Sequence, residues 1–365
     1  MRKSGKIVLG MSGGVDSSVA AFLLQKRGYE VVGVFMKSYS GSFNNTMGEC
    51  NWKEDYREAK RIAIKLGIKL YLADYEKEYR EKVIDKMYED YKKGLTPNPD
   101  ILCNKVIKFP VLFEQMKKLG ASKIATGHYA RIVENRGKFC LKMAKDKGRD
   151  QSYFIYDLNS EYLDKIIFPI GDLTKEEVRK IALENGFQNW NRKGTRGICF
   201  VGKMDMKDFL RKEIKKKEGR ILFENGKEIG KHIGSFYFTI GERFRESYGE
   251  IDRSKIGKEG NKKLYVAEKR KNNDLILVTE GSDLLKKTKV FVKDLHLIDD
   301  KEKVFNKTFK ARVRHLGEMH TGKMLKENGK IIFKFTRKAK DLAEAQHIVF
   351  YDKQRVVGGG EMRFS

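Results

Sequence analysis

The stretch Lys6-Ile-Val-Leu-Gly-Met-Ser-Gly-Gly-Val-Asp-Ser-Ser-Val-Ala-Ala21 decides the fold of this chain. Its apolar run Ile7–Leu9 predicts a strand, and an amphipathic helix is predicted over Ser17–Arg27. The turn between them is rich in glycine. A strand, a glycine-rich turn and a helix start present backbone N–H groups and the positive end of the helix dipole to an anion. Residues 10–17 are therefore a candidate phosphate-binding loop.

The residue types of this loop fit a nucleotide phosphate. The loop runs from Gly10 and Met11 through Val15 to Ser17. Gly13 and Gly14 carry no Cβ, so the backbone can approach an anion closely. Ser12 and Ser17 can donate hydroxyl hydrogen bonds to phosphate oxygens. A carboxylate beside phosphates is favourable when a divalent cation lies between them. We therefore expect Asp16 to contact Mg²⁺, directly or through water.

The loop matches neither of two common nucleotide motifs. A Walker loop has a lysine after its last glycine, and the Rossmann fingerprint is Gly-x-Gly-x-x-Gly; both are absent here. The string Ser-Gly-Gly-x-Asp-Ser at residues 12–17 resembles the pyrophosphate loop of the ATP pyrophosphatases, which cleave ATP to AMP and pyrophosphate. An ordinary strand–helix turn that contains glycines is the simpler alternative.

The chain is strongly basic. It has 365 residues, enough for two or three domains, with a formal net charge of +27. Residues 286–365 hold 20 Lys and Arg against 10 Asp and Glu. This balance favours a polyanionic partner, although a solvated lysine-rich surface would give the same composition. No run approaches the roughly 20 apolar residues of a membrane span, and a signal peptide is not evident, so we expect a cytoplasmic protein with no membrane partner.

The order of predicted elements divides the chain into three domains, with boundaries 1–217, 218–285 and 286–365. Alternating strands and helices over 6–135 predict an α/β doubly wound parallel sheet. The resemblance of the loop to the ATP pyrophosphatases implies the adenine nucleotide alpha hydrolase-like form of this sheet. Ligands bind beyond the carboxyl ends of such strands, so Ser12, Met36 and Gly127 should share one rim. Beyond about residue 218 the pattern has period two, with hairpin turns at Asn225-Gly226 and Asn328-Gly329. It predicts a small β-rich central domain and a C-terminal β-barrel.

Four longer helices are also predicted in the first domain. Two cover Tyr79–Lys93 and Phe109–Leu119. A capping box at Thr174–Glu177 opens a third helix that stops at Gly186. A fourth is predicted over Asp205–Lys217.

The segment Thr96-Pro-Asn-Pro-Asp-Ile-Leu-Cys-Asn104 is the second informative stretch. Its two prolines stiffen the chain and stop a preceding helix. If a helix begins at Ile101, Asp100 can be its N-cap, and Cys103 would lie near the positive helix end, where a thiolate is favoured. The alternative is that Asp100 only caps the helix and Cys103 is a buried thiol.

The other three cysteines differ in context. Cys199 lies in Gly197-Ile-Cys-Phe-Val-Gly202, where flanking glycines suit a thiol that carries a group, although a buried cysteine is the commoner case. Cys140 lies in a predicted strand and is interpreted as structural. Cys50 receives no role. The four cysteines form no CxxC pair and no zinc spacing, and in a reducing cytosol such cysteines are buried thiols or catalysts rather than a disulfide framework.

Several motifs occur in an order that resembles the tRNA-specific 2-thiouridylase family. They are the loop 10–17, Phe35-Met-Lys37, Thr96–Asn104, Ala125-Thr-Gly-His-Tyr-Ala-Arg131, Asp150-Gln-Ser-Tyr-Phe154 and Gly197-Ile-Cys-Phe200. The resemblance is strong over residues 1 to about 210. It continues more weakly through Tyr237–Gly241 to the closing Gly358-Gly-Gly360.

The resemblance implies a reaction. ATP and Mg²⁺, held by residues 10–17, Met36 and Gly127, activate the C2 oxygen of a wobble uridine in tRNA by adenylation. A sulfur-carrier protein or a cysteine desulfurase delivers persulfide sulfur to Cys199, and Cys103 is the nucleophile that attacks it or helps to release its sulfur. Asp100 is implied as the acid or base. The products are 2-thiouridine, AMP and pyrophosphate.

The same resemblance implies contacts with the anticodon stem-loop of tRNA. Asn98, Pro99 and Asp100 would contact the target base. The other candidates are His128, Arg149, Asp150, Gln151, Arg314, His315 and Gln346. For His128 and Gln346 a structural hydrogen bond is an equal alternative, and Arg312 and Arg314 could be solvated charges on the polar face of a strand.

Two other functions and one other mechanism remain open from the residues. A second enzyme with the same loop, such as a tRNA lysidine synthetase or a GMP or NAD synthetase, would need neither Cys103 nor Cys199. A non-catalytic, ATP-regulated RNA-binding protein would bind tRNA without releasing pyrophosphate. Cys103, Cys199 and Asp100 could instead hold an iron–sulfur cluster.

Overall fold

The computed structural model describes residues 4–38, 51–135, 137–192, 206–211, 213–270, 272–299, 303–340 and 342–364. Cys50 and Cys199, with the segments predicted around them, lie outside the described residues.

The described residues form eighteen strands. In chain order they are β1 (Lys6–Gly10), β2 (Glu30–Lys37), β3 (Lys69–Asp74), β4 (Lys123–Thr126), β5 (Ala130–Asn135), β6 (Lys138–Met143), β7 (Ile166–Ile167), β8 (Gly219–Phe223), β9 (Glu228–His232), β10 (Gly249–Ile251), β11 (Leu264–Lys269), β12 (Leu275–Thr279), β13 (Lys287–Leu297), β14 (Thr308–Arg312), β15 (His320–Glu327), β16 (Lys330–Ala339), β17 (His347–Asp352) and β18 (Arg355–Arg363).

The helices of the described residues lie mainly in the first half of the chain. They are α1 (Val15–Lys26), α2 (Asn51–Leu66), α3 (Glu76–Tyr79), α4 (Asp85–Lys92), α5 (Pro99–Cys103), α6 (Phe109–Lys118), α7 (Lys175–Glu184) and α8 (Met206–Arg211). Two π-helical segments, Arg80–Ile84 and Asn104–Lys108, join α3 to α4 and α5 to α6. Short 3₁₀ helices cover Ser152–Ile155, Ser160–Lys165, Ser235–Tyr237, Glu246–Tyr248, Arg253–Asn261 and Asp283–Leu285.

The first sheet confirms the predicted α/β fold. Its five strands are parallel in the order β3-β2-β1-β4-β7. The central strand β1 pairs Ile7 with Val31 on one side and with Lys123 on the other. Its three apolar residues are fully buried because helices cover both faces of the sheet. The strand order reverses at β1, and this is where open α/β sheets bind their ligands.

Most predicted helices are confirmed, with shifted ends. The first helix begins at Val15 rather than Ser17, which places Asp16 in its first turn. The predicted capping box at Thr174 is present, with both of its hydrogen bonds. The prediction for Asp205–Lys217 is wrong in extent, because α8 ends at Arg211. The lysines that follow have no apolar face to bury, and Lys217 donates its backbone N–H to Ile233.

The second half of the chain is built from β-strands, as predicted. A five-stranded sheet has the order β10-β9-β8-β12-β11, and its Asn225-Gly226 turn joins β8 to β9. Strands β13 to β18 form a barrel that closes through pairing of β13 with β18. In the turn between β15 and β16, Asn328 and Gly329 both have positive φ, as a two-residue hairpin turn requires.

A hairpin from the first domain extends the barrel sheet. Strands β5 and β6 pair with each other, and β6 continues the sheet beyond β18, where Arg355 pairs with Lys142. Sequence periodicity did not predict this connection. The apolar core between the first domain and the barrel includes Val8 and Ile124 from the parallel sheet and Val349 and Tyr351 from β17. The described helices include none that is both long and apolar enough to span a bilayer.

Candidate functional site

The carboxyl ends of β1, β2 and β4 meet at the loop 10–17, as the sequence predicts. Met11 donates its backbone N–H to Val34 at 2.9 Å, which ties the loop to β2. A Cβ on Gly10 would lie 3.8 Å from Met36, and one on Gly127 would lie 2.8 Å from the backbone nitrogen of Ser17. The loop, Met36 and Gly127 therefore share one rim. The absence of a side chain at Gly127 lets β4 approach the first turn of α1.

Hydrogen bonds within the loop fix its shape. The Ser17 hydroxyl donates to the Gly14 carbonyl at 3.0 Å and accepts from the backbone N–H of Ser12 at 3.2 Å. Gly13 has φ +75°, and a Cβ there would collide with the carbonyl oxygen of Asp55. Ser17 is buried, so its hydroxyl is used inside the loop, whereas Ser12 is exposed to an incoming ligand. The backbone N–H groups at the start of α1 complete a phosphate cradle.

Two side chains that follow α7 in sequence donate hydrogen bonds to the backbone of the loop. Asn189 is buried and donates its amide to the Gly13 carbonyl and to the Ser18 hydroxyl, both at 3.0 Å. Arg192 donates to Gly13 at 3.4 Å and forms an ion pair with Asp55 at 2.7 Å. These contacts link the loop to the chain immediately before residues 193–205.

Asp16 lies at the mouth of the loop with its side chain one-third exposed. One carboxylate oxygen, Oδ1, accepts from the Tyr129 hydroxyl at 3.0 Å and from the Lys175 ammonium at 2.6 Å. A carboxylate at the edge of a phosphate cradle has the donor chemistry that Mg²⁺ prefers. Asp16 therefore fits the magnesium contact expected from the sequence, and in this structure a lysine neutralises it.

The segment Thr96–Asn104 is rigid, but its cap differs from the prediction. Asn98, not Asp100, is the N-cap of α5, because its side chain accepts from the backbone N–H of Ile101 at 3.2 Å. Asp100 lies one residue further on, in the first turn. Gln346 of the barrel donates its amide to Thr96 at 2.9 Å and to Pro97 at 3.2 Å. These bonds fasten the segment to the third domain, and a contact of Gln346 with tRNA stays a prediction.

Cys103 ends α5 and is buried in the apolar core shared by α3, α4 and the central domain. The expectation of a favoured thiolate is wrong for this structure. Burial raises the pKa of the Cys103 thiol, and this outweighs nearby Lys108 and the hydrogen bond with Tyr79, which lower it. A π-helical segment follows directly, and Asn104 donates to the Asp100 carbonyl at 3.0 Å. Such segments are frequent at functional sites.

The predicted tRNA contacts divide by exposure. Arg149 and Arg314 are exposed, whereas Gln151 and His315 are partly buried and hydrogen-bonded to Tyr129 and to the Asp150 carbonyl. Pro99, the first residue of α5, is buried, whereas Asn98 and Asp100 are partly exposed. These exposed and partly exposed groups stay predictions as RNA contacts.

Two predicted contacts have their side chains in the interior of this structure, and as tRNA contacts they stay predictions. His128 is buried, shares a hydrogen bond with Thr126 at 2.7 Å and stacks on Phe109; burial holds its pKa well below the usual value. Asp150 is fully buried and forms an ion pair with Arg312 at 2.6 Å. Arg312 is buried too, so it is not a solvated charge on a polar face.

Sequence reasoning missed several residues of this site. They are Asn104, Tyr129, Lys175, Asn189 and Arg192. The capping box at Thr174 marked the start of α7 but gave no sign that its next residue reaches Asp16. Apart from the bond of Asn104 to Asp100, each contact joins residues far apart in the chain, and hydrophobic periodicity carries no information about such pairs.

No cluster of three or more His, Cys, Asp or Glu side chains suited to a metal occurs among the residues that the structure describes. Cys103 therefore has no second thiol ligand within the described ranges, and the other cysteine of the iron–sulfur alternative, Cys199, lies outside them. The two free cysteines of the described chain are Cys103 and Cys140.

The chain is a nucleotide-binding α/β protein of the ATP-pyrophosphatase class. Two of its features define it as such: a parallel sheet with a pyrophosphate-type loop at the point where the strand order reverses, and two β-domains that follow it. Family models match all three parts: a tRNA methyl transferase HUP domain at residues 5–203, a tRNA methyl transferase PRC-barrel domain at 207–280 and an aminomethyltransferase beta-barrel domain at 287–362.

Similar proteins share nearly the whole chain. A protein named tRNA-specific 2-thiouridylase MnmA 1, from Geobacillus kaustophilus, is 40% identical over 98% of this chain and 95% of its own. A protein named tRNA-specific 2-thiouridylase MnmA 2, from Aliarcobacter butzleri, is 38% identical and covers 100% of both chains. The chain belongs to the tRNA-specific 2-thiouridylase family.

Proposed function

We propose that this protein is a tRNA-uridine 2-sulfurtransferase that uses ATP to replace the C2 oxygen of the wobble uridine with sulfur. The observation that carries the proposal is the loop 10–17, with Asp16 at its mouth, in a chain similar over almost its full length to 2-thiouridylases. A methyl transfer, which the domain names suggest, would not need a cradle built for a nucleotide polyphosphate.

The first step is adenylation. Residues 10–17, Met36 and Gly127 hold ATP at the rim, and Asp16 would hold Mg²⁺, which would neutralise charge on the phosphates. The C2 oxygen of uracil is a poor leaving group. Its attack on the α-phosphorus releases pyrophosphate and converts the oxygen into part of AMP, which leaves readily. The target base must leave its stack to reach the rim, as for other enzymes that modify bases.

The second step is sulfur transfer. A persulfide on Cys199 supplies its terminal sulfur, which forms a bond to C2 as AMP departs. The Cys103 thiolate attacks the inner sulfur of Cys199, so the S–S bond of the persulfide breaks and a disulfide between the two cysteines forms. An external thiol then reduces that disulfide. Because Cys103 is buried here, this step requires its exposure when tRNA binds, and Asp100 is the nearby group that can take its proton.

The partners follow from the chemistry. The persulfide comes from a sulfur-carrier protein or a cysteine desulfurase. The tRNA is held at its anticodon stem-loop by Asn98 and Asp100 at the base and by exposed cations such as Arg149 and Arg314. We assign residues 1–217 to catalysis, 218–285 to a central domain and 286–365 to a tRNA-contacting barrel. Because its substrate is tRNA, we place the protein in the cytoplasm.

Nucleoside mass analysis of tRNA tests the proposal. The protein is incubated with tRNA, ATP, Mg²⁺ and a persulfide donor, and a uridine should gain sulfur in place of oxygen. Cys103→Ala and Cys199→Ala should each abolish the product, whereas Cys140→Ala, which removes a thiol in β6, should leave it unchanged. ATP consumption that survives both mutations without thiolation would identify a different enzyme with the same loop. Tight tRNA binding with no pyrophosphate release would favour the non-catalytic alternative.

A further inference from the structure

Lys175 is a cation whose charge is disfavoured by two effects, the dipole of the helix that it begins and burial away from water. It is the first residue of α7, next to the cap Thr174, so its charge lies at the positive end of that helix dipole. Its side chain is 7% exposed. A lysine is rarely buried unless an anion pairs with it. The position therefore demands an anion beside the ammonium group.

In this structure that anion is Asp16. The ammonium nitrogen lies 2.6 Å from Asp16 Oδ1 and 5.8 Å from the ring centre of Tyr129, whose hydroxyl donates to the same oxygen. The backbone N–H of Lys175 donates to the Asp146 carboxylate at 3.0 Å, which fixes the start of α7 against the turn after β6. The ammonium is thus held at the mouth of the phosphate cradle, in contact with the carboxylate of the loop residue Asp16.

We propose that Lys175 is a further nucleotide-binding residue, whose ammonium binds the β- and γ-phosphates of ATP, and the pyrophosphate they become, once Asp16 turns to Mg²⁺. This inference rests on the proposed use of ATP but not on tRNA or sulfur transfer. The single negative charge of Asp16 cannot neutralise both the ammonium and a divalent cation. The freed ammonium needs a new anion, and the phosphates held by the loop are the anions that the site admits.

The assignment also explains how Asp16 is tolerated beside an anion site. Without a ligand, Lys175 cancels the charge of Asp16 and keeps the cradle from being repulsive to phosphate. With ATP bound, the same cation faces the group on which charge develops when pyrophosphate leaves. In other enzymes, removing one hydrogen-bond donor aimed at developing charge costs about 100-fold to 1000-fold in kcat.

The test compares ligand binding by Lys175→Met with a matched control, Lys180→Met, which removes an exposed lysine from the same helix. We expect Lys175→Met to weaken binding of pyrophosphate and of the non-hydrolysable α,β-methylene ATP at least tenfold. Binding of AMP should change less than twofold, because AMP lacks the β- and γ-phosphates. Equal weakening of AMP and pyrophosphate would show a merely structural role. Unchanged pyrophosphate binding would overturn the proposal.

A second pair of variants keeps the test decisive if Lys175→Met fails to fold. Asp16→Asn removes the carboxylate and frees the ammonium, so metal-free pyrophosphate should bind more tightly than to the unaltered protein. Adding Lys175→Met on that background leaves no unpaired charge and should abolish the gain. If the two variants bind pyrophosphate equally, Lys175 does not contact it. Failure of thiolation with these binding results intact would concern the proposed function alone.

Discussion

Replacing Gly127 by alanine should damage the nucleotide site through one methyl group. Gly127 follows β4 and lies against the first turn of α1. A Cβ there would lie 2.8 Å from the nitrogen of Ser17, 2.9 Å from the carbonyl carbon of Asp16 and 3.1 Å from the Cα of Ser17. All three atoms are backbone, so no side chain can rotate away. The strand end and the helix must therefore separate.

The size of the effect follows from these distances. Ordinary contact begins near 3.4 Å, so the first turn of α1 must move by about 0.6 Å. Overpacking of this kind costs about 1–3 kcal/mol. The moved atoms are those that form the phosphate cradle, and misplacement of a reacting group by about 1 Å can cost 100-fold in rate. We therefore expect kcat/KM for ATP to fall by about 10-fold to 100-fold.

The assay is tRNA-dependent pyrophosphate release at varied ATP concentration. Gly281→Ala is the control, because Gly281 has open space around its Cα and no positive φ. Affinity for tRNA, measured without ATP, should not change in either variant. If Gly127→Ala kept kcat/KM for ATP within twofold of the unaltered protein, with an unchanged Tm, the close approach of β4 and α1 would not govern the site.

Three further predictions concern stability. Arg312→Met leaves the fully buried Asp150 without its ion-pair partner, so the free energy of unfolding should fall by about 3–5 kcal/mol. In thermal melts the control variant Arg314→Met should change little. Equal losses of stability in the two variants would refute the reasoning. Burial lowers the pKa of His347 to about 3, so the folded state keeps it neutral while the unfolded state binds a proton below about 6.5. Stability is then lost as pH falls from 6.5 towards 3, by about 2 kcal/mol at pH 5. In urea unfolding, the stability of His347→Gln should depend less on pH than that of the unaltered protein. The same pH dependence in both proteins would contradict the assignment. Thr174→Ala removes the hydroxyl that caps α7 and should cost about 1 kcal/mol in a thermal melt, and a melt unchanged by this substitution would mean that the cap is not needed.

The sequence predicted the features that depend on neighbouring residues. The strand–loop–helix unit around the loop 10–17, the capping box at Thr174 and the Asn-Gly turns all arise from contacts within a few residues, so their sequence patterns were sufficient. The cap of α5 was misassigned within such a unit. Asn98 and Asp100 are both good capping residues, and Pro99 fits the first helical position, which makes Asn98 the cap.

The burial of candidate site residues could not be predicted from the sequence. A polar residue between apolar ones indicates either an exposed face or a buried partner, and the pattern is the same for both. Arg312 alternates with apolar residues as a solvated cation would, yet it is buried against Asp150, which lies 162 residues away in sequence. Cys103 follows a proline-stiffened helix start, but the packing of the central domain decides that its thiol is buried.

The sequence by itself determined the class of the protein, which is a nucleotide-binding parallel sheet with two β-domains and a basic surface. Hydrophobic periodicity and glycine positions act between neighbouring residues, and net charge is a sum over the chain, so all three can be read without the tertiary structure. Only the tertiary structure decided which groups meet. The ion pair of Asp16 with Lys175 spans 159 residues, and the hydrogen bond of Asn98 with Gln346 spans 248. Such pairs form when separately determined elements pack together. The chemistry of the site is therefore set by tertiary packing, even though its central loop is already visible in the sequence.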